Sequence, residues 1–278
     1  MPLKLAQRVL DLSQPTVMGV LNRTPDSFSD GGAFVDFAAA LSHAEQMVRE
    51  GAAIIDIGGE STRPSAEAVS EQQELERVIP LIERLVNETD VPISIDTSKP
   101  EVMRAAVAAG AGMINDVYAL RQTGALDAAR DCSVPVVLMH MQGEPRTMQQ
   151  HPHYKDVVVE VKQFLVERIL ACEAAGIPRE RLLIDPGFGF GKTLEHNLEL
   201  LRHLREFATL GLPLLVGLSR KSLIGTLLGG VPVGERLQGS VAAAVVAVMN
   251  GASIVRAHDV KPTVEALKIV AAARNGEC

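Results

Sequence analysis

Residues able to do chemistry recur in this chain directly after short apolar runs. In order they are Asn22, then Glu60, Ser61, Thr62 and Arg63, Asp96, Asn115 with Asp116, His140, Asp185, Ser219 to Lys221, and Arg256 with His258. Asp96, Asn115 and Asp185 offer acceptors suited to the N–H edge of a heterocycle, whereas Lys221, Arg256 and His258 suit anionic oxygens. One such residue says little, because the turns that follow strands are polar. A full ring split between acceptors and cations points to a substrate with a polar ring at one end and phosphate at the other.

The stretch "DPGFGFGKT", Asp185 to Thr193, imitates a phosphate loop but fails as one. A Walker pattern needs a glycine where Pro186 stands, and proline has neither the torsional freedom nor the N–H for that post. The dinucleotide pattern fails as well, since Lys192 occupies the position of its third glycine. Phe188 and Phe190 in this loop read either as core residues or as rings that pack against a flat substrate. Ser219 lacks a nucleophile elbow and an identifiable base. His151 and His153 have no matching ligand cluster and read as a solvated loop, and His43, His196 and His203 read as surface positions on helices.

The elements that must position the ring alternate around the chain. Eight apolar runs stand out: "TVMGVLN", "AAIIDIGGE", "VPISIDT", "GMINDV", "VPVVLMH", "RLLIDPG", "LPLLVGLS" and "ASIVRAH". They are apolar almost continuously, as strands buried on both faces of a parallel sheet are. Amphipathic segments separate them. "DFAAALSHAEQMVREG" stops at Gly51 and "KDVVVEVKQFLVERILACEAAG" at Gly176, while "TLEHNLELLRHLREF" and "KPTVEALKIVAAARNG" supply two more helices. "SEQQ" from Ser70 and "SKPE" from Ser98 read as capping boxes, and "GALDAAR" as a weak helix. With Ser98 on the helix, Asp96 is left for a ligand. Residues 1–278 contain no linker-like stretch, so the expectation is one α/β domain, a (β/α)8 TIM barrel, with a doubly wound open sheet as the alternative. The loops "NRTPDSFSDGGAFVD" and "GGESTRPSAEAVS" are long for βα connections and read as lids over the catalytic face.

Composition narrows the class. The apolar fraction of 47% supports a large core, and a net charge of −7 with dispersed Lys and Arg argues against a nucleic-acid partner. Three cysteines at irregular spacing make neither a disulfide framework nor a metal motif. The N-terminal "MPLKLAQRVLDLSQP" lacks an apolar core of signal-peptide length, and the longest apolar run, "VAAAVVAVM", is far shorter than a membrane span. A cytoplasmic protein with no membrane contact is expected.

The segments "MGVLNRTPDSFSDGG", "IIDIGGESTRPSA", "SIDTSKPEV", "INDV", "MHMQGEPRTMQ", "IDPGFGFGKTLEHN", "GLSRKS" and "VRAHDV", in this order over nearly the whole chain, resemble the dihydropteroate synthase family of folate biosynthesis. The resemblance implies a (β/α)8 barrel, a homodimer and Mg2+. It also implies condensation of 4-aminobenzoate with 6-hydroxymethyl-7,8-dihydropterin diphosphate, releasing pyrophosphate. Carried over by motif, Asp96, Asn115, Asp185 and Lys221 would hold the pterin, with Met139 and Gly217 shaping its walls. Asn22, Arg256 and His258 would bind the diphosphate, Asn22 also touching the metal. Phe28, Thr62, Arg63, Pro64, Phe190, Lys221 and Ser222 would form the 4-aminobenzoate site. Asp96, Asp185, Lys221, Arg256 and His258 would carry the catalysis. Phe28 and Pro64 match the form associated with sulfonamides as competitive inhibitors. Two alternatives stand beside this: a pterin-dependent methyltransferase, which has no use for diphosphate residues, and a pterin-binding protein without catalysis.

Overall fold

The computed structural model describes residues 2–5, 8–22, 33–61 and 68–275. A hairpin comes first, β1 (Pro2–Leu5) against β2 (Arg8–Asp11). Eight parallel strands follow: β3 (Thr16–Asn22), β4 (Ile54–Gly58), β5 (Ile93–Asp96), β6 (Met113–Asp116), β7 (Val136–Met139), β8 (Leu182–Asp185), β9 (Leu215–Val216) and β10 (Ile254–Ala257). Each pairs with its neighbour in the order β8-β7-β6-β5-β4-β3-β10-β9. A parallel bridge from Ile184 to Leu214, just before β9, joins the two ends and closes the sheet into a barrel.

The helices lie outside. They are α1 (Ala33–Glu50), α2 (Glu71–Glu88), α3 (Pro100–Ala108), α4 (Ala125–Cys132), α5 (Val157–Ala174), α6 (Leu194–Arg202), α7 (Arg205–Ala208), α8 (Ser222–Leu227), α9 (Leu237–Met249) and α10 (Val260–Asn275). The α/β alternation and the (β/α)8 class expected from the sequence are what the chain adopts.

Strand parity separates two cores. Val17, Ile55, Ile95, Ile114, Leu138, Ile184, Val216 and Val255 pack outward with the helices. Met18, Ile54, Met113, Val137, Leu183, Leu215 and Ile254 form a separate inner layer, closed below by Leu3 and Leu5 of the hairpin. Side chains alternate across a strand, so residues two further along these strands face the same interior, one layer nearer the C-terminal mouth.

Helix ends fit the sequence at α2, where Gln73 N donates to Ser70 Oγ at 3.2 Å and Ser70 N donates back to Gln73 Oε1 at 3.0 Å. They do not fit at Ser98. Lys99 is the N-cap of α3 and makes no side-chain cap bond, while the Ser98 hydroxyl donates to Asp116 Oδ1. Pro100 at the first helical position explains the difference: it lacks an N–H and pre-sets the helical φ. Two smaller corrections follow. "GALDAAR" forms a full helix, α4, and "TLEHNLELLRHLREF" breaks at His203 into α6 and α7.

Candidate active site

Two residues beyond the inner apolar layer the barrel turns polar. The step leads from Ile54 to Asp56, Met113 to Asn115, Val137 to Met139, Leu183 to Asp185, Leu215 to Gly217 and Ile254 to Arg256. The TIM architecture thus brings Asn115, Met139, Asp185, Gly217 and Arg256, picked from the sequence, and Asp56, which was not, to one level at the C-terminal ends of its strands.

Arg256 is the hub of this layer. Its Nε donates to Asp56 Oδ2 at 2.6 Å and an Nη donates to Asp96 Oδ2 at 2.8 Å. Asn115 Nδ2 donates to the same Asp56 oxygen at 3.1 Å. Burial opposes the Arg256 charge, but Asp56 and Asp96 hold its pKa above the ordinary value. Burial pushes the Asp96 carboxyl up to about 7; Arg256 pulls it down, and Asp56, Glu74 and Asp116 push it further up. Asp56 Oδ1 is buried with no hydrogen-bond partner. An acceptor in that state is open to a ligand N–H.

Across the barrel, Asp185 Oδ1 accepts from Gly187 N at 2.7 Å. Burial raises its pKa, opposed first by Lys221. Lys221 Nζ donates to Phe188 O and sits 4.6 Å from the centre of the Phe190 ring. Burial lowers its pKa to about 8, with Asp185 pulling the other way. A Cβ added to Gly217 would lie 3.8 Å from Lys221 Nζ and 3.9 Å from Arg256 Cβ, so this glycine leaves the space between the two cations open. Met139 packs with Val117, Met141 and Met148 into an apolar wall, and Phe190 and Tyr118 lie against it.

His258 and Ser222 stand further out. Ser219 Oγ accepts from His258 N at 3.2 Å and lies 3.0 Å from His258 Nδ1, so the hydroxyl orients the imidazole. Arg220 binds Asp259 at 2.9 Å through Nε, tying together the loops after β9 and β10. Ser222 opens α8 and is exposed. Beside Asp96 the mouth holds a cavity of about 540 Å3 whose lining includes Glu60, Glu74, Lys99, Tyr118 and Arg146. Phe28, Thr62, Arg63 and Pro64, with residues 23–32 of the first long loop and 62–67 of the second, lie outside the described residues.

Other members of the sequence ring have structural posts. Asp116 accepts from Ser98 Oγ, Tyr118 N and Leu120 N, holding a turn in which Ala119 and Leu120 have φ of 51° and 58°. Glu60 and Glu74 share the Lys99 ammonium. His140 is buried beneath the glycine loop with Lys192. Among the minor histidines, His203 is exposed as expected, but His43 and His196 are half-buried, and His196 Nδ1 accepts from Thr193 N in a cap of α6. Sequence reasoning passed over Asp56 and Lys192. Asp56 carries a readable signal, a charge in the middle of the apolar run "IIDIG".

Two hard oxygen donors flank Gly58. A Cβ on Gly58 would lie 3.3 Å from Asn22 Oδ1 and 3.7 Å from Asp96 Oδ2. Among the described residues no group of three or more His, Cys, Asp or Glu side chains could hold a metal by itself. A cation held there would be one such as Mg2+ that takes few protein oxygens and keeps water and substrate phosphate in its shell.

A barrel with a buried layer of acceptors and cations at the C-terminal ends of its strands defines a class, and residues 18–258 match the family described as "Pterin binding enzyme". The chain is 57% identical over 263 residues to the dihydropteroate synthase of Escherichia coli K12, covering 95% of this chain and 93% of that one. A Yersinia pestis dihydropteroate synthase solved with a sulfonamide drug superposes with a TM-score of 0.95 at 54% identity, covering 99% and 100% of the two chains. A Xanthomonas albilineans dihydropteroate synthase solved with 4-aminobenzoic acid gives 0.94 at 58% identity, covering 98% of each. The chain belongs to the dihydropteroate synthases, transferases of folate biosynthesis within the pterin-binding family.

Proposed function

We propose that this barrel condenses 4-aminobenzoate with 6-hydroxymethyl-7,8-dihydropterin diphosphate by dissociative substitution at the pterin methylene carbon. The observation that carries the reading is the polar layer itself: carboxylates and an amide at Asp56, Asp96, Asn115 and Asp185, and cations at Lys221 and Arg256, on one level of a closed barrel. Such a layer matches a ring rich in N–H donors whose side arm ends in phosphate.

Asp96, Asn115 and Asp185 accept from the pterin ring, Lys221 donates to it, and Met139 and Gly217 bound its faces. Asn22, Arg256 and His258 take the diphosphate. Magnesium, held at Asn22 and by the substrate's own oxygens, would spread the leaving group's charge. The C–O bond breaks with its electron pair leaving on pyrophosphate. The positive charge left on the methylene carbon is shared with the electron-rich ring and faced by the carboxylates of Asp96 and Asp185. The arylamine nitrogen then forms the C–N bond and sheds a proton to water. Phe28, Thr62, Arg63, Pro64, Phe190, Lys221 and Ser222 seat 4-aminobenzoate, and sulfonamides compete there, as the drug complex of the Yersinia pestis relative supports.

The chain acts in the cytoplasm, in keeping with free thiols at Cys132 and Cys172 and with no described helix long and apolar enough to cross a membrane. It pairs as a homodimer. Leu227, Leu228, Val233, Val246 and Met249, in and around α8 and α9, are all exposed apolar side chains in support of that. Pyrophosphate release is the test. It should need both substrates and Mg2+ together, and no release from the complete mixture would overturn the reading.

A further inference from the structure

The glycine loop after β8 has every carbonyl from Gly187 to Lys192 captured by a side chain. Gly187 O and Phe190 O accept from Lys192 Nζ at 2.9 and 3.0 Å. Phe188 O accepts from Lys221 Nζ and Gly189 O from Gln149 Nε2. Gly191 O accepts from Tyr154 Oη at 2.8 Å and Lys192 O from Asn197 Nδ2 at 3.4 Å. The N–H groups are used as well: Gly187 N donates to Asp185, Gly189 N to Asn197 Oδ1 at 2.7 Å, and Phe190 N to Gly187 O at 3.1 Å. Three of the six N–H groups of residues 187–192 are thus committed within the protein, alongside all six carbonyls. The loop is built to hold one shape.

Lys192 is the centre of that construction. It is 3% exposed, and its Nζ also lies 2.8 Å from His140 Nδ1. Three acceptors match the three N–H bonds of an ammonium, and the contact assigns the His140 proton to Nε2. Burial drives the Lys192 pKa well down, with Asp185 pulling it back; burial and then Lys192 drive that of His140 down to about 2. The imidazole is therefore neutral, and the three acceptors around Nζ are what favours an ammonium there against burial. The pair fastens the two ends of the Gly187 to Phe190 turn to the end of β7. The Phe190 ring, half-buried against the Val117, Met139, Met141 and Met148 wall, takes its place from the backbone that Lys192 holds.

We propose that Lys192, which the substitution chemistry does not use, is a positioning residue that sets Phe190 as the aromatic wall for the arylamine substrate. This rests on the synthase reading for the identity of that substrate. Its larger effect falls on the arylamine, because Lys192 acts on Asp185 only after Lys221 and the Gly187 N–H, neither of which is removed with it.

Lys192→Met keeps the stem and removes all three donors. Steady-state pyrophosphate release should show KM for 4-aminobenzoate raised about tenfold or more, with KM for the pterin diphosphate within about threefold. Hydrogen exchange of the amides of residues 187–191 should accelerate in the same variant without substrate. Equal rises in both KM values, or unchanged exchange in the loop, would overturn the proposal. Gln149→Leu removes a clamp from an exposed side chain and serves where Lys192→Met does not fold. It should accelerate the same amides and raise the same KM about threefold, and no change in either overturns the idea. A wild-type chain that releases no pyrophosphate instead overturns the synthase reading, and loop exchange still decides the positioning.

Discussion

Arg256 and Asp96, 160 positions apart in the chain, meet through an Nη to Oδ2 hydrogen bond of 2.8 Å. The cation expected at the diphosphate and the acceptor expected at the pterin are therefore one unit, completed by Asp56 at 2.6 Å from Arg256 Nε. A guanidinium bridges two carboxylates through a rigid planar fork, whereas an ammonium is a compact point charge without that directionality. On the proposed reading Arg256 would stand between ring and phosphate, one residue answering to both ends of the substrate.

Arg256→Lys should lower kcat/KM by about a hundredfold or more, because a point charge on a shorter stem does not reproduce the fork that sets Asp56 and Asp96. Asp56→Ala should cost about 3 to 5 kcal/mol in urea unfolding, since it leaves the buried guanidinium half-paired and Asn115 without its acceptor. An Asp56→Ala chain as stable as wild type would show that the pair is not an energetic unit.

Pterin affinity should be bell-shaped in pH. Asp96, pushed up to about 7, must lose its proton to accept from the ring, so binding weakens as pH falls through 7. Lys221, lowered to about 8, must keep its proton to donate, so binding weakens as pH rises through 8. Calorimetry with a pterin ligand should find the optimum between these limbs, and Asp96→Asn should remove the acid limb alone. Stability follows the same linkage with its own sign. The folded Asp96 holds a proton between its ordinary value of 3.8 and about 7 that the unfolded chain has lost, so this contribution declines as pH rises through that window. Urea titrations of wild type and Asp96→Asn, compared between pH 4 and 7, should show it as a difference in slope.

Two glycines in the loop after β8 are fixed by close approach. A Cβ on Gly187 would lie 1.8 Å from His140 O, and one on Gly191 would lie 2.4 Å from Gln142 O. Gly211 has the same φ as Gly187, 70°, with nothing within 4 Å. Gly211→Ala should cost only the left-handed backbone term, about 1 to 2 kcal/mol. Gly187→Ala must also displace backbone and should cost about 3 kcal/mol or more, or abolish folding. Equal losses in urea unfolding would refute the close-approach account.

The strands were legible because a barrel buried on both faces writes continuous apolar runs, and the polar ring because it ends those runs. Which ring residues face the interior was not legible without parity. Asn115 points into the barrel and Asp116, the next residue, into the turn beyond it, yet both read as polar strand ends. Asp56 was visible as a charge inside an apolar run, but its partner was not, because nothing local points to a guanidinium 200 residues away. Ser98 misled because a capping pattern does not weigh the following proline. The hairpin β1 and β2 was missed because strands of four residues with one exposed face carry too little pattern.

That hairpin yields the last prediction. Leu5 is 1% exposed and packs with Leu3 on Met18, Ile54, Met113 and Ile254, at the end of the barrel opposite the polar layer. Truncating a buried leucine removes its transfer energy and leaves a cavity, together worth about 2 to 5 kcal/mol. Leu5→Ala should lower Tm accordingly. Because Met18, Ile54 and their neighbours stand between Leu5 and the layer of Asp56, Asn115 and Asp185, KM for either substrate should stay within about twofold of wild type. A raised KM at unchanged Tm would mean that the floor of the barrel shapes the pterin layer and not only the fold.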